Sequence, residues 1–217
     1  MPDVPLVVEA VLTDLDGVLI DSTTAVEKVW REWAGRVGVD AGSVLANLHG
    51  VRSEDTVARL VPATDVDVEV AALEAAELEH ADEARLVPGA DALVASLPAG
   101  RWAVVTSGSR VLATARLEAG GLPRPAVLVT AEDVAVGKPD PEGYRAAASA
   151  LGFDVSRCLV VEDAPAGIAA GRAAGATVIA VTTSHPREEL SRAHLVVADP
   201  GRIAVTALSG GLRIDAR

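Results

Sequence analysis

A single cysteine, Cys158, is the only thiol in these 217 residues, so no intrachain disulfide can form. A chain without disulfides suits a reducing, intracellular compartment, and a cytoplasmic location is the expectation. Aromatic residues are also scarce, at 2% of the chain, although half of the residues are hydrophobic, so Val, Ala and Leu must fill the core. Positive charge is short as well: 19 Lys and Arg stand against 31 Asp and Glu, a formal net charge of −12. That balance favours solubility and repels nucleic-acid backbones and anionic membrane surfaces, so neither is an expected partner. A small anionic substrate remains compatible with it, because a metal or a lysine inverts the field locally inside a cleft. No apolar run approaches membrane-spanning length. The opening stretch MPDVPLVVEAVLTDLDG has neither the basic region nor the apolar core of a secretion signal. Nothing in the sequence signals self-association, which leaves a monomer as the default.

What is present falls into two patterns. Val7 to Thr13 is a β-rich run ending in Asp14-Leu15-Asp16-Gly17. From Ser22 the period changes: Val26, Trp30, Trp33 and Val37 recur three or four apart, the stripe of an amphipathic helix, with Asp21 and Ser22 as candidate caps. Further helical stretches are expected over Ser53 to Leu60 and Val68 to Glu83, the acids of the latter forming a solvated face. After Pro88-Gly89, apolar runs alternate with helical ones. Strands are expected at Trp102–Thr106, Val127–Thr130, Cys158–Val161, Thr177–Thr182 and Leu195–Val197, and helices at Arg110–Ala119, Pro141–Leu151 and Ile168–Ala174. This alternation predicts an α/β fold, a Rossmann-like, mostly parallel sheet covered on both faces. Residues 22–86 lack the alternation and read as an all-helical cap inserted into a core made of 1–21 and 87–217.

Four clusters fall at predicted strand ends, the edge where open α/β sheets bind ligands. Asp14-x-Asp16 can aim two carboxylates into one cleft while Gly17 allows a tight turn; converging carboxylates invite a hard cation such as Mg2+. A turn-and-cap role is the competing reading of that string. Thr106-Ser107-Gly108-Ser109 offers a hydroxyl, amides and a helix N-terminus, a phosphate cradle, although Ser109 reads better as a helix cap. In Gly137-Lys138-Pro139-Asp140-Pro141, Asp140 and Pro141 suit a helix start, leaving Lys138 as either a site residue or an ordinary surface lysine. Glu162-Asp163 ends a buried-looking run, where two acids are costly unless a cation neutralises them. Gly167, Gly171 and Gly175, four apart, read as a helix face bared for packing, and Cys158 as a small core residue.

In this order the clusters resemble the haloacid dehalogenase superfamily of phosphohydrolases, in the branch with a small helical cap. DLDGVLIDS is similar to its first motif, VVTSG to its second, GKPDPE to its lysine motif and VVEDAPAGIAAGRAAG to its metal motif; the likeness runs from Val7 to about Val197. The resemblance implies that Asp14 is the nucleophile, forming an aspartyl phosphate, and that Asp16 protonates the leaving alcohol and then activates water. It implies Mg2+ held by Asp14, the Asp16 carbonyl and Asp163, with Glu162 direct or through water. Thr106, Lys138 and the amides near Ser107 and Gly108 would bind phosphoryl oxygens. In Leu48-His49-Gly50-Val51-Arg52, between cap helices, it implies a loop facing the site, with His49 and Arg52 reading the leaving group; Arg52 as a solvated residue is the alternative.

Among functions on this scaffold, a carbon–halogen hydrolase has no need of Asp16, Lys138 and a metal together. A phosphonate hydrolase would want a cap lysine, and only Lys28 is there. A sugar phosphate mutase would place a histidine early in the first cap helix, where Thr23 to Lys28 has none. The remaining histidines, His80, His185 and His194, read as surface or satisfied residues, and Trp30 and Trp33 as cap core. The reading is a Mg2+-dependent phosphatase of small sugar or polyol phosphates similar to the 2-deoxyglucose-6-phosphatase type. A β-phosphoglucomutase-like mutase and a phosphoglycolate phosphatase-like hydrolase are the alternatives. The partner is a small phosphorylated metabolite.

Overall fold

The expected first strand is two. In a computed structural model that describes residues 6–46 and 48–216, β1 (Leu6–Val8) and β2 (Ala10–Thr13) are separated at Glu9 and belong to different sheets. All four residues of β2 are buried, as a strand covered on both faces must be. The chain then makes a short strand β3 (Ile20–Asp21) and four helices, α1 (Thr23–Val37), α2 (Ala41–Leu45), α3 (Ser53–Val57) and α4 (Val66–Glu79). It returns through β4 (Arg85–Leu86), which pairs antiparallel with β3, so a two-strand neck joins the helical segment to the rest.

Beyond the neck come α5 (Ala90–Ser96), β5 (Trp102–Val105), α6 (Arg110–Ala119), β6 (Val127–Val129), α7 (Glu142–Leu151), β7 (Cys158–Glu162), α8 (Pro165–Ala174), β8 (Thr177–Val181) and β9 (Leu195–Val197). The main sheet is parallel throughout, in the order β6-β5-β2-β7-β8-β9. β2 is its centre: from it the chain first winds outward to β5 and β6, then returns to the other side for β7 to β9. Such a reversal opens a crevice at the carboxyl ends of the central strands. Side chains of β7 alternate between two apolar layers, Leu159 and Val161 on one face of the sheet, Cys158 and Val160 on the other. Burial pushes the Cys158 thiol up to about 11, in keeping with a core residue rather than a nucleophile.

The helical segment has its own core, in which Trp30 and Trp33 pack edge to face against each other, alongside Val29, Val44, Val57 and Leu73. Both indoles donate to α4 carboxylates, Trp30 to Glu77 (2.9 Å) and Trp33 to Glu69 (2.8 Å). The expected solvated acidic face is therefore only partly so: Glu69 also pairs with Arg36, and Glu77 is buried. The helix expected over Ser53–Leu60 stops at Val57, and that over Val68–Glu83 is α4 followed by a separate turn at Ala81–Glu83. Asp140 accepts from the Glu142 amide (2.9 Å), so α7 starts one residue later than expected, after Pro141.

Two strands near the end had no counterpart in the sequence reading. β10 (Ile203–Leu208) and β11 (Gly211–Ala216) form a hairpin, and β11 pairs with β1 in a small antiparallel sheet. The signal was there, Ser209-Gly210 between two alternating runs, which is hairpin chemistry. No helix among the described residues is long and apolar enough to cross a membrane.

Candidate active site

Asp14 leaves the end of β2 still in register, its amide donating to the Val161 carbonyl (2.9 Å). Thr106 leaves β5 in the same way, its amide on Val129. Glu162 closes β7 and Asp163 follows it, so three neighbouring strands deliver three of the four clusters to one crevice. The fourth arrives on the loop before α7. There Lys138 Nζ donates to Asp14 Oδ1 (2.7 Å), Glu162 Oε1 (2.7 Å) and the Val105 carbonyl (3.1 Å), and the residue is 7% exposed. The surface-lysine alternative falls: the ammonium has three acceptors and the side chain is buried. The Lys138–Pro139 peptide bond is cis.

The charges around it are unequal. Burial opposes the Lys138 charge, but Asp14 and Glu162 outweigh it and raise its pKa above the ordinary lysine value. Glu162 also loses by burial, yet Lys138 holds its carboxyl below the usual range. Its two oxygens accept four hydrogen bonds, from Lys138, the Tyr144 hydroxyl (2.7 Å) and the amides of Asp163 (2.9 Å) and Ala164 (3.2 Å). This crowding needs Gly167 in α8, where a Cβ would lie 1.7 Å from Glu162 Oε1. The glycine series is thus not one packing face: Gly167 makes room for Glu162, Gly171 lies against Val160 and Val178, and Gly175 is the left-handed end of α8.

Asp14 and Asp163 are left in excess. Burial lifts Asp14 to about 7, against the pull of Lys138, and burial together with the Glu162 and Asp14 charges pushes Asp163 well above the carboxylate range. Asp163 nonetheless reaches into the crevice, beside Gly17, whose φ of +79° and missing Cβ let the chain pass where a methyl group would sit 2.0 Å from Asp163 Oδ2. Asp14, Glu162 and Asp163 can each offer an oxygen, all within 4.8 Å of one another, a cluster able to coordinate a divalent metal. The donor set fits a hard cation: oxygens only, buried, and with more negative charge than Lys138 offsets.

A pH dependence follows. Unfolded, Asp14 and Asp163 titrate near 3.8; folded and metal-free, both titrate higher. From about pH 4 to 7 the folded state binds more protons than the unfolded one, so these groups lower stability as pH rises through that window. A divalent ion that requires the ionised carboxylates offsets that loss. The rise in melting temperature on adding Mg2+ is expected to be small at pH 5 and to grow steadily to pH 8. A gain independent of pH would place the ion elsewhere.

The cap closes over this floor. Ser107 Oγ donates to the Gly50 carbonyl (3.0 Å), while Thr106 Oγ1 accepts from the Gly108 amide (3.1 Å). Ser109 caps α6 as expected, accepting from Leu112 (3.3 Å). Arg52 is not solvated: its guanidinium forks onto Asp55 (2.8 and 2.9 Å) and reaches the carbonyls of Val134 and Ala135 on the core. His49 stands edge-on to His185 at 5.6 Å between ring centres, and burial and that neighbour lower its pKa, favouring neutral imidazole. His185 in turn touches Ser184, which donates to Asp163 Oδ2.

Sequence reasoning missed Arg116, Glu77 and Ser22. Ser22 sits at the start of α1 but caps nothing; its hydroxyl donates to Asp16 Oδ1 (2.6 Å). Arg116 bonds Asp16 Oδ2 (2.9 Å) and Glu77 Oε2 (2.8 Å). Its signal was legible: the buried positions of α6 are Leu112, Ala113, Arg116 and Leu117, one cation on an apolar stripe. Together these groups bound a cavity of about 320 Å³ whose floor holds Asp14, Asp16, Thr106 and Asp163 and whose roof holds His49, Arg52, Glu74 and Trp30.

A model of haloacid dehalogenase-like hydrolases matches residues 8–175, all four clusters included. The chain belongs to that family. Hexitol phosphatase A of Escherichia coli is 42% identical over 205 residues, covering 92% of this chain and 95% of its own. 2-Deoxyglucose-6-phosphate phosphatase 1 of Saccharomyces cerevisiae is 36% identical over 220 residues, covering 89% of each. Among solved structures, a hydrolase from Pseudomonas syringae superposes with a TM-score of 0.82 at 27% identity, over 89% of this chain and 94% of that one. This haloacid dehalogenase-like hydrolase is accordingly a phosphatase, with sugar and polyol phosphate phosphatases among its relatives, and its acidic cluster of Asp14, Glu162 and Asp163 is consistent with a catalytic aspartate.

Proposed function

We propose that the enzyme hydrolyses monophosphates of small, neutral, polyhydroxylated alcohols, sugars or polyols, through an aspartyl phosphate on Asp14. In this reading residues 22–86 are the cap and 1–21 with 87–217 the core. Asp14, the Asp16 carbonyl and Asp163 would hold Mg2+, which would offset charge on the attacking carboxylate and the phosphoryl oxygens. Glu162, whose oxygens already accept four hydrogen bonds, holds Lys138 in place and would meet the metal through water. Thr106 and the amides of Ser107 and Gly108 take the phosphoryl oxygens, and Lys138 exchanges its Asp14 contact for one of them as Asp14 bonds to phosphorus. An Asp14 oxygen bonds to phosphorus as the ester oxygen departs with a proton from Asp16; water then attacks phosphorus, losing a proton to Asp16, as the Asp14–phosphorus bond breaks to free the carboxylate and inorganic phosphate. Arg52, committed to Asp55 and the core, docks the cap, while His49 hydrogen-bonds the leaving group.

The observation that carries the substrate class is the charge of the cavity away from the phosphate floor. Glu54, Glu74 and Glu132 line it, and its two arginines, Arg52 and Arg116, are both ion-paired. Hydroxyl groups donate to such a wall; a second carboxylate or phosphate is repelled by it. A panel of hexitol phosphates, 2-deoxyglucose 6-phosphate, glucose 6-phosphate, glycerol phosphates, phosphoglycolate and β-glucose 1-phosphate tests this. The best neutral sugar or polyol ester is expected to exceed phosphoglycolate in kcat/KM by about 100-fold, since like charges brought together cost several kcal/mol. A preference for phosphoglycolate would defeat the substrate class. Conversion of β-glucose 1-phosphate to glucose 6-phosphate with little phosphate release would replace hydrolysis with mutase chemistry.

A further inference from the structure

The proposed acid and base, Asp16, is held at both oxygens. Ser22 donates to Oδ1 and Arg116 to Oδ2, while the side chain keeps 29% of its surface open, part of it lining the cavity. Arg116 lies on the core helix α6 and is 6% exposed at its side chain. Burial alone would lower its pKa, but Asp16 and Glu77 more than compensate and keep it charged. Its second nitrogen is bound by Glu77 of α4, whose other oxygen accepts from Trp30 in the core of the cap. One guanidinium thus ties a residue of the reacting centre to the packed interior of the cap, and its forked geometry fixes direction as well as distance.

We propose that Arg116 is a positioning residue for Asp16, itself oriented by Glu77: Arg116 holds Oδ2, so that Oδ1, which carries the transferred proton in the acid form, is aimed at the leaving oxygen only while α4 of the cap lies on the core. The proposal rests on the reading of Asp16 as acid and base. A merely structural ion pair would, when broken, slow all substrates alike. A misaimed acid slows only those whose leaving group needs a proton: an alkoxide does, 4-nitrophenolate does not.

Leaving-group release is measured by rapid quench in single turnover, with 4-nitrophenyl phosphate and with the fastest alkyl phosphate of the panel above. Arg116→Ala is expected to slow the alkyl ester about 100-fold and the aryl ester less than about threefold, the span that a positioned general acid supplies. Glu77→Gln, which keeps an acceptor for Trp30, is expected to show the same selectivity at about tenfold, and Arg116→Lys to recover part of the loss. Should Arg116→Ala not fold, the other two variants carry the test. Asp16→Asn sets the reference. If it too slows both esters equally, the acid–base reading falls and the proposal with it. If Asp16→Asn is selective but the Arg116 and Glu77 variants slow both esters alike, or neither, the proposal alone is overturned.

Discussion

Asp14→Asn is expected to lower kcat by at least about 10⁴-fold, the scale on which removing a covalent nucleophile acts, and to leave the fold intact. The amide is nearly isosteric with the carboxylate and is not a competent nucleophile at phosphorus. Asp14 sits buried with Glu162 and Asp163 around one lysine, and burial lifts its pKa to about 7. Removing its charge takes a partner from Lys138 but also relieves repulsion among the carboxylates, so the melting temperature near pH 7 should hold. The metal-free protein should at the same time lose part of the stability slope between pH 4 and 7. Quenched wild-type enzyme, digested and weighed by mass spectrometry, should carry phosphate on the peptide containing Asp14. Phosphate found only on another residue, or an Asn variant of near wild-type rate, would sink covalent catalysis at this position.

Lys138→Met should damage both rate and stability. The substitution retains the volume of the side chain and removes its charge, leaving Asp14, Glu162 and Asp163 buried without the cation that two of them contact at 2.7 Å. Breaking a buried ion pair from one side costs about 3–5 kcal/mol. At roughly 2–4 °C per kcal/mol for a domain of this size, the melting temperature should fall by about 6–20 °C. The turnover loss should be about 10²–10³-fold, because the proposed mechanism places this positive charge on the phosphoryl oxygens. Adding Glu162→Gln to Lys138→Met removes an orphaned charge and should recover stability without recovering rate. If the single variant melts with the wild type, the lysine is not what offsets these carboxylates.

The four clusters were legible because each is a local object. An apolar run that ends in Asp14-x-Asp16 or Glu162-Asp163 needs only a buried strand and its exit, and period and composition specify both. The same holds for Ser109 as a cap and for the apolar stripe of α1, which reads from Val26 to Val37 without knowledge of its partners. The break at Glu9 was not legible, since it depends on β11 arriving some 200 residues later to claim β1. That Lys138 is buried rather than solvated also required the fold, because nothing near position 138 in sequence supplies Asp14, Val105 or Glu162 as acceptors. Gly167 looked like a packing glycine until the Glu162 carboxylate was seen to occupy the place of its Cβ.

Sequence alone determined the chemistry of the floor: which carboxylates, which hydroxyl and which lysine a central strand and its neighbours could present. The tertiary structure decided the roof and its coupling to the floor. Glu77 belongs to a helix whose acids look alike in sequence, and only the approach of α4 to α6 selects it to meet Arg116 and, through it, Asp16. Arg52 likewise becomes a cap–core staple only because Val134 and Ala135 lie beneath it. Strand and helix periods are short-range consequences of backbone geometry, whereas the pairing of a charge on the helical cap with a charge on the sheet core is set by how their separately packed apolar clusters meet.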